Sequence, residues 1–186
     1  TGALVVRTGV ASGNQTFQSL SAPLLNNAKD IAFTGALATG GNVTSSNANG
    51  IWTIDSNGSL TKIFRSGDSA PGVVGATFAS FSQLAFPANG GITFAATFAT
   101  GSGMVSGTNN QGVWSVSNSG ATELVVRTGN SLSVGGAVKT ISSFDFFSAS
   151  SVTEGVGRTI NSWGDIILKL NFTDKSSGLF RYDARN

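Results

Sequence analysis

The chain repeats itself, and this repetition restricts its fold more than any other feature. An apolar run that ends in Arg-Thr-Gly or Arg-Ser-Gly occurs three times, with its arginine at Arg7, Arg65 and Arg127. A second marker, Gly-x-aromatic, recurs with nearly the same spacing, and its aromatic residues are Trp52, Trp114 and Phe180. Two independent markers with one period of about 60 residues define a tandem repeat. We place the three repeats at approximately 3–59, 60–121 and 122–186 of a single domain.

Each repeat contains four segments with the properties of β-strands. In the first repeat these are the Arg strand (about 3–8), a strand around Phe17 to Leu20, a strand from Ile31 to Leu37, and the Trp strand (about 50–54). The Asn-Gly pair after the Trp strand, in Asp55 to Gly58, predicts a hairpin into the next Arg strand. No segment has helical periodicity with caps. The sequence therefore predicts an all-β fold of three tandem four-stranded repeats, with the three aromatics in the core between repeats.

Two longer motifs point to a known type of repeat. The first is Arg-x-Gly-Asp-x-Ala-Pro-Gly, complete from Arg65 to Gly72, and the second is a turn and strand of the type Asn-x-x-Gly-x-Ile-x-Phe, followed by Gly-Ile-Trp. With these motifs the chain resembles, over nearly its whole length, the tandem NxxGxxAF repeats of exported bacterial proteins. The resemblance implies a repeat fold and an exported protein, often with a C-terminal sorting anchor. It implies no characteristic reaction.

The number of repeats bears on assembly. Four-stranded repeats of this length are typical of propeller blades, which occur in sets of roughly four to eight. Three repeats are compatible with a propeller-blade-like arrangement or a three-sheet prism. The chain begins with an Arg strand and ends just after a Trp-type strand, Gly178 to Asp183, so its two ends are complementary parts of one sheet. We expect the terminal strand to complete the last sheet within one chain, in a two-chain ring or in a filament, and we favour self-association.

The composition indicates where such a protein works. Only 11% of the residues are charged and 25 are glycine, so neutral hydroxyls and amides must cover the surface, as is typical of exported proteins. The first residue is Thr1, which is consistent with a cleaved signal peptide. We expect a secreted or cell-surface protein, of bacterial origin. The apolar runs are too short for a membrane-spanning helix, and the scattered basic residues predict no binding of nucleic acid.

The absence of His and Cys from the sequence excludes the usual catalytic triads and zinc sites. We predict no catalytic, cofactor or metal site. The turn positions of four aspartates predict structural roles in strand-end turns, and these are Asp30, Asp55, Asp165 and Asp183. Three carboxylates lie outside the repeat pattern, and a carboxylate-dependent glycosidase would use two of them: Glu123, Asp145 and Glu154.

Two sets of residues are candidates for ligand binding. Equivalent positions of a propeller lie on a ring, so Arg7, Arg65 and Arg127 form a hypothetical anion-binding ring; the alternative is a strand-end arginine bound to the neighbouring repeat. The loops before the Gly-x-aromatic strands, at 38–49, 99–111 and 173–177, differ most between the repeats. Their polar side chains suit glycans, and the alternative is solvated connectors. The glycan candidates are Asn42, Thr44, Asn47, Asn109, Asn110 and Gln111.

These observations favour a non-enzymatic extracellular structural protein that binds copies of itself and forms a ring or a filament through its sheet edges. A lectin-like module that binds extracellular glycans is the alternative. A glycosidase is a remote third alternative, and the carboxylates outside the repeat pattern are its only support.

Overall fold

A computed structural model describes residues 4–9, 11–12, 15–88, 91–101, 103–146 and 160–184, and every regular element in these ranges is a β-strand. The all-β prediction is therefore confirmed. In chain order the strands are β1 (Ala11–Ser12), β2 (Gln15–Leu20), β3 (Leu24–Leu25), β4 (Ile31–Leu37), β5 (Asn49–Ile54), β6 (Leu60–Arg65), β7 (Phe78–Ala85), β8 (Ile92–Phe98), β9 (Gln111–Val116), β10 (Thr122–Arg127), β11 (Ser131–Val134), β12 (Ala137–Asp145), β13 (Ile166–Phe172) and β14 (Ser177–Tyr182). Within these ranges no helix is long and apolar enough to cross a bilayer.

The strands form three antiparallel sheets, which we number from the N-terminus. The first sheet contains β2, β4, β5 and β6 in this order, with the two-residue strands β1 and β3 added to β2 and β4. The second sheet has the order β10-β9-β8-β7, and the third has the order β11-β12-β13-β14. Three sheets with four principal strands each confirm the predicted repeat fold. The strands predicted at 17–20, 31–37 and 50–54 correspond to β2, β4 and β5.

The first two sheets are each completed by a strand from the following repeat. β6 ends at Arg65 and belongs to the second repeat, but it pairs with β5, the Trp strand of the first repeat. β10 ends at Arg127 and pairs in the same way with β9. The sheets are therefore displaced by one strand from the sequence repeats.

The hairpin predicted after β5 is present, because Asp55 Oδ1 accepts hydrogen bonds from the main-chain N–H groups of Asn57 (2.9 Å) and Ser59 (2.8 Å).

The first Arg segment, residues 4–7, is not a strand. Thr8 makes only an isolated parallel bridge to Phe17, and the four residues before it belong to no sheet. The predicted strand at 3–8 is therefore wrong for the part of it that the structure describes. A strand forms only when its main-chain groups pair with a neighbour, and no described strand pairs with residues 4–7. Residues 4–7 thus do not complete the last sheet, and β14 keeps one open edge among the described residues.

Apolar clusters join the sheets in chain order. One cluster lies between the first and second sheets and includes Ile51, Phe78, Phe94 and Trp114. A second lies between the second and third sheets and includes Val113, Val126, Leu168 and Phe172. A third covers the opposite face of the first sheet and includes Phe17, Phe33 and Trp52. The first and second clusters therefore hold the three sheets in a row, and the third belongs to one end of that row.

Trp114 and Phe180 lie in the cores between sheets, as predicted, whereas Trp52 lies in the third cluster on the outer face of the first sheet, where the prediction of a core between repeats is wrong. Trp52 and Trp114 are fully buried, and Phe180 is partly buried against the second cluster. A buried indole N–H needs an acceptor, and the two repeats provide different ones. Trp52 Nε1 donates to Gln15 Oε1 at 2.9 Å, whereas Trp114 Nε1 donates to the main-chain oxygen of Pro71 at 3.0 Å. The Asp-x-Ala-Pro-Gly motif of the second repeat therefore supplies the acceptor for Trp114. The side chain of Phe180 has no N–H and needs no acceptor.

The glycines two residues before Trp52 and two residues before Trp114 are required by the indole itself. A Cβ on Gly112 would lie 2.8 Å from Trp114 Cη2, and a Cβ on Gly50 would lie 2.7 Å from the same atom of Trp52. At Gly178 the nearest atom, in Phe172, would be 3.9 Å away, which is an ordinary contact. The Gly-x-Trp motif is therefore a packing motif, and only the third repeat can accept a larger residue there.

This difference predicts the effect of two matched substitutions. Gly112→Ala should lower the free energy of unfolding by about 1–3 kcal/mol, because it overpacks the core against Trp114. Gly178→Ala should change it by less than about 0.5 kcal/mol. Urea unfolding followed by tryptophan fluorescence measures both values. Equal effects of the two substitutions would contradict this account of the motif.

Candidate functional site

The strand-end arginines occupy equivalent positions, and one of them has a defined structural contact. Arg127 Nε donates to the main-chain oxygen of Asn109 at 2.9 Å, and its guanidinium lies 5.0 Å from the centroid of the Phe98 ring. Asn109 belongs to the second repeat and Arg127 to the third. The guanidinium is thus bound to the neighbouring repeat, which is the structural alternative to anion binding. Arg65 is partly buried and Arg7 is exposed. An anion ring formed by the three arginines stays a prediction.

The first two variable loops share one closed conformation. Thr44 N donates to Asn47 Oδ1 at 2.8 Å, and Asn47 Nδ2 donates to the main-chain oxygen of Asn42 at 3.1 Å. The second loop repeats the first contact, because Ser106 N donates to Asn109 Oδ1 at 2.7 Å. The amides of Asn47 and Asn109 are therefore used to close the loops. For these two residues the structure favours the connector interpretation over a glycan contact.

The other loop candidates have mainly main-chain roles. The Asn110 oxygen accepts a hydrogen bond from Phe98 N at 2.8 Å, and Gln111 N donates to Thr128 Oγ1 at 3.2 Å. A role of Asn42, Thr44, Asn110 and Gln111 in glycan binding stays a prediction.

Two predicted turn aspartates form the same clamp in the first and third repeats. Asp30 N donates to Asn26 Oδ1 at 2.9 Å, and Asp165 N donates to Asn161 Oδ1 at 3.0 Å. In both turns the asparagine Nδ2 also donates to the aspartate Oδ2. The other carboxylate oxygen, Oδ1, accepts a hydrogen bond from a main-chain N–H after the Trp-type strand. The donor is Ser56 N for Asp30 and Ala184 N for Asp165. The turn role predicted for both aspartates is confirmed.

The carboxylates outside the repeat pattern lie in different places. Asp145 ends β12 and lies 3.8 Å from Lys169 Nζ. Glu123 lies near the start of β10. Glu154 lies outside the described residues. Among the described ranges, no cluster of three or more acidic residues could hold a metal ion.

The turn after each Arg segment docks in the same way on the following sheet. Gly67 N donates to the oxygen of Phe78, and Gly129 N donates to the oxygen of Ile141, both at 2.8 Å. Gly9 N donates to the oxygen of Phe17, the equivalent residue of the first sheet, at 2.9 Å. The first Arg segment is therefore anchored at the place where an Arg strand of a preceding sheet would end.

The side chain before each arginine also keeps its place. Phe64 packs in the cluster between the first and second sheets, and Val126 packs in the cluster between the second and third. Val6 packs against the third cluster, on the outer face of the first sheet. Leu4, by contrast, is 77% exposed. The N-terminal segment thus has the position of an Arg strand but lacks the sheet to which such a strand belongs.

The opposite end of the stack has the complementary deficiency. β14 pairs with β13, and no described residue pairs with its other edge, the edge that β6 and β10 cover in the first two sheets. Leu179 of β14 is 81% exposed, whereas its equivalents Ile51 and Val113 are fully buried against the next sheet. Ile167 is exposed on the same face. The third sheet therefore ends in an open edge and a partly apolar outer face.

A hydrogen bond between the side chains of Tyr182 and Glu123 joins the second and third sheets. Tyr182, the last residue of β14, donates its hydroxyl hydrogen to Glu123 Oε2 at 2.7 Å across 59 positions of sequence. Burial of the phenol, together with this hydrogen bond and the charge of Glu123, raises the pKa of Tyr182 to about 12. Trp163, in the turn before β13, lies in the same cleft. Sequence reasoning missed Tyr182 and Trp163, although both depart from the repeat alignment.

The chain belongs to DUF7453, a family of unknown function whose model matches residues 1–184. The curated proteins include no match to the chain.

The single tyrosine of the chain gives a direct test of the Tyr182 contact. Absorbance of tyrosinate should show a midpoint near pH 12 in the folded protein and about 10 after denaturation. The neutral phenol is favoured by the fold, so its contribution to stability is complete below about pH 10 and is lost as the pH rises to about 12. Glu123→Gln should lower the midpoint, while burial keeps it above the denatured value. The same midpoint in the folded and denatured protein, with folding verified by circular dichroism, would contradict the contact.

Proposed function

We propose that this member of DUF7453 is a non-enzymatic, exported structural protein that self-associates head to tail. In the assembly the Arg segment of one copy completes the third sheet of another. One observation carries the proposal: β5 and β9 each pair with an Arg strand, whereas β14 has an open edge within the described structure and residues 4–7 form an Arg segment outside any sheet. Unpaired strand edges are sites of main-chain pairing with another chain.

The internal sheets specify the register of this contact. Gly50 pairs with Arg65 and Ile51 with Phe64, and the equivalent pairs Gly112–Arg127 and Val113–Val126 occur in the second sheet. Transferred to the open edge, this register places Arg7 opposite Gly178 and Val6 opposite Leu179. A shift of register after the second pair, seen in both sheets, then places Leu4 opposite Phe180.

The side chains of this register agree with the faces. Each internal pair, such as Ile51 with Phe64, packs into the cluster that faces the following sheet. In the assembly Val6 and Leu179 would do the same, against the outer face of the first sheet of the copy that supplies Val6. The contact would cover Leu179 and continue the row of sheets from one copy into the next.

The interface is more polar than the internal ones. Lys169 and Arg181 lie on the outer face of the third sheet, the face that carries Leu179. The equivalent positions of the second sheet are occupied by Ala95 and Ser115. Because charged side chains are costly to bury without partners, this contact should be weaker than the internal interfaces and reversible. It is also heterologous, since the two surfaces differ. Such contacts close into rings when the rotation between copies allows it, and otherwise form filaments.

Export is the remaining part of the proposal. It rests on the neutral composition, with 11% charged residues, and on the resemblance to exported repeat proteins. A protein that assembles through its own edges outside the cell has a structural or adhesive role.

Cysteine pairs test both the contact and its register, because the natural chain has no cysteine. Equimolar Val6→Cys and Leu179→Cys proteins, mixed and oxidised, should form a disulfide-linked dimer that contains one copy of each. The double variant should form a ladder of covalent multimers on a non-reducing gel. Cross-strand neighbours have the short Cβ separation that a disulfide needs.

The matched control replaces Leu179→Cys by Val138→Cys. Val138 is also an exposed apolar residue of the third sheet, but it lies on β12 rather than at the open edge. If the control cross-links as efficiently as the Leu179 pair, the proposed register is wrong. If the double variant forms its disulfide within single chains, the ends meet intramolecularly and the head-to-tail proposal fails.

A further inference from the structure

Three residues at the junction of the second and third sheets depart from the repeat pattern. Glu123 lies near the start of the Arg strand of the third repeat, Tyr182 at the end of its Trp-type strand, and Trp163 in the turn before β13. The corresponding residues of the first two repeats are smaller or aliphatic: Thr61 for Glu123, Ile54 and Val116 for Tyr182, and Ala28 for Trp163 in the first repeat. Packing within the repeat does not require these departures, since the other copies fold without them.

All three residues line one cleft of about 550 Å³. The β9–β10 hairpin forms one wall with Glu123, and Trp163 and Tyr182 form the other wall from the third sheet. The cleft lies beside the turn that joins β9 to β10. The variable loop of the second repeat, at 99–111, enters β9 at its other end. A volume of this size is within the range of roughly 300–1,000 Å³ that is typical of small-molecule sites.

The exposed indole is the main chemical feature of the cleft. Of the three tryptophans, Trp52 and Trp114 are fully buried, whereas Trp163 is 59% exposed. The flat apolar face of an indole, with a polar edge, suits a ligand that has an apolar face and a polar rim. A pyranose ring has this character, since its C–H groups form a face and its hydroxyls form the rim.

The rest of the lining supplies hydrogen-bonding groups for such a rim. Ser115 and Asn118 contribute a hydroxyl and an amide, and Glu123 contributes a carboxylate held by Tyr182. The hydroxyls of Ser117 and Thr122 also line the cleft and make hydrogen bonds within the hairpin turn. These groups donate and accept hydrogen bonds in the way that sugar hydroxyls need. Among the described residues that line the cleft there is no Lys or Arg, which disfavours an anionic ligand. Glu123 is the one carboxylate among the described residues of the lining, whereas glycoside hydrolysis generally uses two.

We propose that this cleft binds a neutral saccharide, with a pyranose ring stacked on Trp163 and its hydroxyls bound by Glu123 and the hairpin side chains. The site lies at an internal junction of the chain, so it does not depend on the head-to-tail contact. It also differs from the loop surface that the sequence analysis named as a candidate for glycans. The ligand is held without bond cleavage.

Quenching of tryptophan fluorescence by acrylamide tests the proposal, because Trp163 is the accessible tryptophan. The probes are soluble oligosaccharides of glucose, mannose, galactose and N-acetylglucosamine, with sialylated and sulfated oligosaccharides and choline as separate arms. At least one neutral oligosaccharide should protect Trp163 from acrylamide. Calorimetry should show that Trp163→Ala weakens its binding by at least about tenfold, and that Glu123→Gln weakens it as well.

The exposed Val138→Ala variant is the matched control, and it should keep both affinity and melting temperature. The circular dichroism spectrum of Trp163→Ala should remain that of the folded protein, since its side chain is 59% exposed. Tighter binding of choline or of the anionic sugars than of every neutral one would overturn the proposal. So would protection by none of the neutral probes, or a neutral sugar whose affinity does not change in Trp163→Ala.

Discussion

Main-chain pairing between each Trp strand and the Arg strand of the following repeat is the constraint on which the rest of the structure depends. β5 takes β6 and β9 takes β10, so the first two sheets are finished by residues that belong to the next repeat. In the described structure this pairing leaves the Arg segment of residues 4–7 outside the sheets and the outer edge of β14 open. Backbone groups need partners, and a second copy can provide them for both ends at once.

The two proposed surfaces are independent because they use different parts of this arrangement. The proposed assembly surface consists of Leu179 and the outer edge of β14, which no described residue covers. The cleft exists because the third sheet follows the second, and the side chains at that junction have diverged from the repeat. A repeat fold provides both kinds of site, since its ends are incomplete and its junctions can vary without loss of the core.

The sequence predicted the strands, the hairpin after Asp55 and the burial of Trp52 and Trp114, because these depend on local patterns that recur. It did not predict that residues 4–7 stay outside the sheets, since strand formation depends on a partner and not on the apolar run itself. It also missed the contact between Tyr182 and Glu123, which joins residues far apart in the chain. The divergence of Trp163 and Tyr182 from their repeat equivalents was the available signal.

The central claim is that the N-terminal Arg segment becomes a strand only when it pairs with β14 of another copy. Hydrogen exchange measured over a range of protein concentrations tests it most directly. The account predicts that peptides covering residues 4–8 and 177–182 gain protection together as the concentration rises, while those covering β8 and β9 do not change. Protection of both end segments that is already complete in a dilute monomer, or that never develops in the assembled protein, would contradict it.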